Sequence, residues 1–255
     1  MNVMEELKLQ PSERVDDLLT HELRIIQSDE VFSFSMDAVL LARFASIPKR
    51  GRILDLCTGN GVVPLILSTR TEAQIDGVEI QSRLHDMASR SVKMNGLEER
   101  IRIVQGDLKT YYQEVGYEIY DAITVNPPYM KMLTGEHKLN SHQAMARHEL
   151  GCTLEDVIVA CKRLIRTGGK VSMVHRPSRL GEIVSMMREH KLEPKRIRFV
   201  HSRIDQEANM VLIEAIRDGK PDLRLLPPLI VYNENNEYCE ELLQIYYGPK
   251  VGRDK

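Results

Sequence analysis

The 255-residue chain has no apolar run approaching the roughly 18–20 residues that a bilayer crossing takes. Its first ten residues, MNVMEELKLQ, have neither the basic start nor the apolar stretch of a secretion signal, so the expected location is the cytoplasm, with no membrane partner. Cysteine is sparse. Cys57, Cys152, Cys161 and Cys239 form no Cys-x-x-Cys pair and have no histidine at metal-ligand spacing. The expectation is therefore no metal and no disulfide framework, with reduced and mostly buried thiols. Internal repeats and low-complexity tracts are also missing, which sets aside repeat architectures.

Net charge is small, −2, but it is unevenly spread. Met1–Glu30 holds three basic and eight acidic residues, Lys162–Arg203 twelve and three, and Ile204–Lys255 six and ten. A basic segment between acidic flanks reads as an electrostatic footprint for phosphates, or as the solvated faces of a helix and two strands.

What is present is an alternation of short β-rich runs with helical patterns, the signature of βαβ units. Arg52–Cys57 reads as a buried first strand, followed by a glycine turn and a helix from near Gly61. Gln74–Ile80 is the second strand, and the helix after it lines up Leu84, Met87, Ala88, Ser91 and Val92 before stopping at Asn95-Gly96. Ile101–Gln105 and Asp121–Asn126 are the third and fourth. Thr153 and Asp156 form a capping box for a helix expected to end before Gly168-Gly169. Lys170–His175 is a fifth strand and Ser178–His190 a helix; Arg196–His201 and Met210–Ile216 then follow with no helix between them, as an antiparallel edge hairpin does. Upstream, Met36–Ala45 has a helical pattern with Ser35 or Asp37 available as its cap. The fold expected is α/β and Rossmann-like: a seven-stranded, mostly parallel sheet with an antiparallel edge hairpin and helices on both faces. The Leu223–Tyr247 region is expected to pack an extra strand and a short helix against it.

Ligands of such a sheet bind at the carboxyl ends of the strands, near the reversal of strand order. Four features fall there. The loop Asp55-Leu-Cys-Thr-Gly-Asn-Gly61 lets the backbone turn sharply and approach a ligand at Gly59 and Gly61, and it is not the Gly-x-Gly-x-x-Gly of dinucleotide sites. Glu79, ending the second strand, can accept hydrogen bonds from both hydroxyls of a ribose. Gly106-Asp107, ending the third, can accept from an adenine amine. The fourth strand ends in Asn126-Pro127-Pro128-Tyr129. An exocyclic amino nitrogen is a poor nucleophile because its lone pair is delocalised. The Asn126 carboxamide oxygen and the Pro127 carbonyl can each accept one of its N–H bonds, drawing the nitrogen toward tetrahedral geometry and freeing the lone pair toward a methyl donor. The prolines fix the loop and remove competing donors. Tyr129 offers a face for a flipped base to stack on, worth roughly 1–3 kcal/mol.

This order of motifs (DLCTGNG, VEI, GD, NPPY) resembles the class I S-adenosylmethionine-dependent methyltransferases of amino nitrogens, and within them the bacterial group typified by the N6-adenine methyltransferase of valine tRNA, which acts at anticodon-loop position 37. The likeness runs from about Val31 to Tyr232 and includes ARHE at Ala146–Glu149 and VHRPSRL at Val174–Leu180. It implies S-adenosylmethionine as cofactor, with contacts from Ser35 and Asp37 of a lid motif over Phe32–Asp37, from Asp55, Thr58, Gly59, Asn60 and Gly61, from Glu79 and Ile80, from Gly106, Asp107 and Leu108, and from Asn126. Asn126, Pro127, Pro128 and Tyr129 take the catalytic role. It also implies an RNA partner, tRNA first of all. Lys131, Lys138, Arg147 and His148, in a pattern-free stretch over Met130–Leu150 expected to act as a substrate lid, and Arg176 and Arg179 are the candidates to hold it. The division expected is 1–46 for an N-terminal extension with the lid, 47–220 for the methyltransferase domain and 221–255 for an extension packed on it.

The tetrapeptide also serves enzymes that methylate a glutamine side chain in release factors, but those carry a sizeable helical domain before the glycine loop, where here about fifty residues stand. DNA adenine enzymes usually add a target-recognition domain, and the related rRNA guanine enzymes a duplicated domain and Phe at the Tyr129 position. An anticodon-loop base is already partly unstacked, which lowers the cost of flipping it. A non-catalytic module that binds cofactor or RNA is the reading from another class, and the intact Asn126 and cofactor acids oppose it.

Overall fold

The computed structural model describes residues 8–18, 21–31, 36–128 and 152–247. The elements are β1 (Glu13–Asp17), β2 (Arg24–Ser28), α1 (Met36–Phe44), β3 (Arg52–Leu56), α2 (Val62–Ser68), β4 (Gln74–Glu79), α3 (Ser82–Met94), β5 (Ile101–Gln105), α4 (Tyr112–Val115), β6 (Tyr120–Val125), α5 (Leu154–Leu164), β7 (Ile165–His175), a 3-10 turn (Pro177–Arg179), α6 (Leu180–Glu189), β8 (Leu192–His201), β9 (Ala208–Arg217), β10 (Arg224–Leu225), β11 (Leu229–Ile230) and α7 (Glu240–Tyr247).

Strands β3 to β9 are the seven that the sequence pattern marks. They lie in the order β8-β9-β7-β6-β3-β4-β5, with β3 to β7 parallel and β9 antiparallel to both of its neighbours. The two-residue strands β10 and β11 pair with β8 and bring the sheet to nine. From β3 the chain first builds outward through β4 and β5, then returns to β6 on the other side of β3. That reversal opens the crevice in which ligands of doubly wound sheets bind.

Alternation along the strands feeds two cores. Ile53, Ile75, Ala122 and Val174 face α1 and α2, joined by Leu242 of α7. Leu54, Leu56, Ile123, Val125 and Met173 face α5 and α6. The expected capping box opens α5: Thr153 Oγ1 accepts the Asp156 N–H at 3.1 Å and Asp156 Oδ2 accepts the Thr153 N–H at 2.9 Å. Such a cap contributes about 1 kcal/mol.

Helix α5 ends at Leu164, ahead of the glycine pair as expected, but the strand expected from Lys170 already begins at Ile165, which is extended (φ −77°, ψ 135°) and pairs with Tyr120. The next pair is Ala122 with Lys170, so Arg166–Gly169 bulge out of the ladder, and Gly168 supplies the positive φ of 76° that the bulge needs. Asp37 is the second residue of α1 and so cannot be its cap; Ser35 lies outside the described residues. Ahead of α1 stands an antiparallel hairpin, β1–β2, which no sequence pattern announced. It is clamped to α3 by Glu13 with Arg90 at 2.8 Å and by the Ile26 N–H on Ser91 Oγ at 3.0 Å.

Candidate active site

The ladder pairs Leu56 with both Val78 and Val125, and Glu79 with Gln105. Residues 57–61, 79–80, 106–108 and 126–128 therefore emerge at one level on the carboxyl edge. Four motifs that are far apart in sequence meet there.

The glycine loop is held from beneath by Asp55, which is 1 % exposed. One carboxylate oxygen accepts the Thr58 hydroxyl and the other the Thr124 hydroxyl, each at 2.6 Å. Burial pushes this carboxyl up to about 7 against the pull of the two hydroxyls, and the nearby Glu79 charge adds to the rise. With both oxygens occupied and no open face, Asp55 shapes the loop rather than reaching a ligand. Thr58 helps to fix the same turn, since its N–H reaches Val78 O and its carbonyl accepts the Gly61 N–H, both at 3.0 Å. The approach of Thr58 depends on Gly77, where an added Cβ would lie 2.9 Å from Thr58 Oγ1 and 3.0 Å from Ile103 Cδ1.

Above this base the loop runs through left-handed backbone at Cys57 (φ 57°), Gly59 (φ 59°) and Gly61 (φ 88°). A Cβ at Gly59 would meet nothing within 4 Å, so the backbone there borders open space that a ligand can enter. At Gly61, by contrast, an added Cβ would lie 3.2 Å from the Ala88 methyl of α3. The Asn60 side chain is buried and donates to Ile26 O at 3.2 Å, tying the loop to the N-terminal hairpin. That amide is engaged in packing within the protein.

Glu79 stands 5 % exposed at the end of β4. Its two oxygens accept the Gly59 and Gln81 N–H groups, each at 2.9 Å. Burial raises its carboxyl even though these backbone donors pull the other way. The neighbouring Ile80 leaves 45 % of its surface uncovered, an apolar face at the edge of the crevice. Gly106 joins this wall through its N–H on Glu79 O at 3.0 Å. Asp107 is half-buried and accepts the Lys109 N–H at 2.9 Å, while Leu108 turns into the core. A bare glycine backbone beyond β3, then an acceptor carboxylate and an apolar face at the end of β4, fit a slender chain, a ribose diol and a flat base. These residues suit the nucleoside part of S-adenosylmethionine.

Asn126 and Pro128 are half-buried and Pro127 is buried, directly beyond β6 and across β3 from Glu79. Cys152, just ahead of α5, brings the returning chain back to this edge: its hydrogen bond to Cys57, together with burial, pushes the Cys57 thiol well above its usual range. Tyr129, Ser35, Lys131, Lys138, Arg147 and His148 lie outside the described residues.

Of the RNA candidates inside them, Arg176 is exposed at the carboxyl end of β7 and donates to Asn209 O at 3.0 Å. Arg179 grips Glu182 through two bonds, at 2.8 and 3.0 Å. The basic segment does not form one face. Arg166, Arg188, Arg196 and Arg198 pair with Asp121, Glu193, Glu214 and Glu241. Lys162 lies in the last turn of α5, and Lys170, Lys191 and Lys195 lie in or just before β7 and β8, away from the carboxyl ends that form the crevice. The sequence reading also missed Thr124, Gly77 and Gln81. A glycine inside an otherwise β-branched run was the one available signal, since it marks a close approach.

Residues 22–189 match the family model described as methyltransferase small domain. The chain is 30% identical over 211 residues to the tRNA1(Val) (adenine(37)-N6)-methyltransferase of Aeromonas hydrophila, covering 82% of this chain and 86% of that protein. It is 30% identical over 213 residues to the protein of the same name from Parabacteroides distasonis, at the same coverage. Among solved structures, a predicted O-methyltransferase from Agrobacterium tumefaciens shares the fold at a TM-score of 0.66 and 23% identity, over 84% of this chain and 96% of that one.

Proposed function

The chain belongs to the methyltransferase small-domain family of S-adenosylmethionine-dependent enzymes, and from that premise we propose that it methylates N6 of an adenine in tRNA, at an anticodon-loop position of the 37 type, in the cytoplasm. The observation that carries this reading is Asn126-Pro127-Pro128 set across β3 from the Glu79 edge, so that a flat amine and a nucleoside-bearing donor share one crevice. The tRNA part rests on the relatives from Aeromonas and Parabacteroides, which carry that activity in their names over most of this chain's length.

In this reading S-adenosylmethionine supplies an electrophilic methyl group when bound. Glu79 accepts the ribose hydroxyls, exchanging some of its present backbone donors for them. Ile80 covers one face of the adenine, and Asp107 and the Leu108 backbone read its edge. Gly59 and the Asn60 backbone leave room for the amino-acid part, with Asp37 and Ser35 closing from the lid. Asp55, Thr58 and Gly61 act one layer below, by fixing the loop.

At the acceptor, Asn126 Oδ1 and the Pro127 carbonyl hold the two amine hydrogens, and Pro128 keeps the loop rigid. Tyr129 stacks on the base. Alignment of donor and acceptor supplies the rate, and no strong base is required when the proton leaves after transfer. Arg176, with Lys131, Lys138, Arg147 and His148, contacts RNA phosphate; Arg179 steadies the start of α6 through Glu182. The test is Asn126→Ala: turnover on bulk tRNA should fall at least about a hundredfold, about 2.7 kcal/mol at the barrier, while the dissociation constant for S-adenosylmethionine moves little. Turnover near that of the wild type removes Asn126 from the chemistry.

A further inference from the structure

On the α1 side of the sheet, toward the amino ends of β7 and β8, lies a cavity of about 320 Å³. Lys170, Lys195, Arg196 and Arg224 line it, against the acids Glu214 and Asp222. Lys170 is five residues ahead of His175 at the carboxyl end of β7, which at about 3.3 Å per residue sets the cavity some 17 Å from the crevice.

The charges in this cavity differ in how far they are already used. Glu214 is 3 % exposed and fully engaged. It accepts Arg196 Nε at 3.0 Å, the Ser46 N–H at 2.8 Å and the Ser46 and Ser172 hydroxyls at 3.0 and 3.1 Å. Arg196 is spent in turn on Glu214, on the Ser46 hydroxyl and on Phe44 O, which it caps at the end of α1. This pair forms a neutral floor. Lys195 spends one donor on Lys220 O. Lys170 and Arg224 have no hydrogen-bond or ion-pair partner among the described residues, and neither comes within bridging distance of Asp222. A cavity that holds its cations apart from the acid at its rim, over a floor with no charge to offer them, is built for an anion from outside.

We propose that this cavity is a phosphate-binding site, separate from the cofactor crevice, in which Lys170, Lys195 and Arg224 donate to the phosphate oxygens. Three lysine and arginine groups converging from β7, β8 and β10 match the charge and the acceptor-rich surface of a phosphate group. The phosphate can belong to the backbone of a bound RNA or to a free ion.

Calorimetric titration of inorganic phosphate in chloride buffer, into the wild type and the double variant Lys170→Ala/Arg224→Ala, tests this directly. Neither residue sits in the crevice or the core, and an unchanged melting curve checks that the variant is folded. Binding of phosphate should weaken at least about tenfold in the double variant and tighten several-fold in Asp222→Asn. In a parallel arm, the affinity for bulk tRNA is followed across salt. A backbone phosphate as the source lowers the tRNA affinity of the double variant and cuts its salt slope by about one. A free ion leaves tRNA binding as it was while phosphate binding is lost. If the wild type binds no phosphate and the double variant keeps its tRNA affinity and salt slope, the site does not exist. Methyl transfer by Asn126 is read separately in every case.

Discussion

Replacing Asp55 with Asn should remove a pH dependence from stability that the wild type carries. The carboxyl ordinarily titrates at 3.8 and is held at about 7 in the fold, by burial first and by the Glu79 charge, against the two threonine hydroxyls. The neutral acid is thus the form the fold prefers. Its contribution is fully present below about pH 4 and is lost as the pH rises through about 7. A change of about three in pKa, at about 1.4 kcal/mol each, makes the loss about 4 kcal/mol. Asparagine keeps the shape and carries no charge, and one threonine hydroxyl can turn to accept from its amide. His175 slopes the opposite way. Burial holds it at about 4 from an ordinary 6.5, so its contribution is present above about pH 6.5 and lost as the pH falls. The wild-type profile alone therefore mixes two signs, and the difference between variant and wild type isolates Asp55. Urea unfolding followed by far-ultraviolet circular dichroism suits a chain that has no tryptophan. The stability of Asp55→Asn relative to wild type should grow by about 4 kcal/mol between about pH 4 and pH 8. A difference constant to within about 1 kcal/mol would refute the reasoning.

Three further outcomes follow from the same geometry. Glu79→Ala should weaken S-adenosylmethionine binding at least about tenfold, about 1.4 kcal/mol, by removing the ribose acceptor and freeing the Gly59 and Gln81 N–H groups; an unchanged dissociation constant in calorimetry would mean the ribose lies elsewhere. Gly77→Ala drives a methyl group to 2.9 Å from Thr58 Oγ1, and should cost about 1–3 kcal/mol of stability together with cofactor affinity, whereas unaltered values of both would show that the loop can shift freely. Glu214→Ala leaves the half-buried Arg196 without its acid and should destabilise by about 1–3 kcal/mol in denaturant titration, a loss that Glu214→Gln recovers in part if hydrogen bonding to Ser46 matters as much as charge.

The crevice was legible because its parts are local. A strand, a glycine turn and a helix fit into the stretch from Arg52 to Ser68, and each acid or amide sits at a strand end that hydrophobic runs delimit. What lay hidden depends on neighbours across the sheet. Asp55 reads as a ligand contact in sequence, and only the β3–β6 register brings Thr124 to its second oxygen. Asn60 likewise gives its side-chain amide to a carbonyl of the hairpin, Ile26 O, a partner the local sequence does not announce. The hairpin itself has a charged first strand, ERVDD, without apolar alternation, and is held by Arg90 and Ser91 of α3. Charge counted along the chain ignores partners: Asp121, Glu214 and Glu241, all outside the basic segment, pair with Arg166, Arg196 and Arg198 within it. In the same way Gly168-Gly169 reads as a helix stop and serves a bulge.

Whether the substrate is adenine in tRNA is decided by the nucleoside composition of tRNA, measured by mass spectrometry in a strain lacking the gene and in its parent. N6-methyladenosine should fall in the tRNA fraction of the deletion strain, and the purified wild-type protein with S-adenosylmethionine should restore it while Asn126→Ala does not. Unchanged N6-methyladenosine in tRNA, with loss of a methylated base in rRNA or of a methylated glutamine in protein, would contradict that assignment.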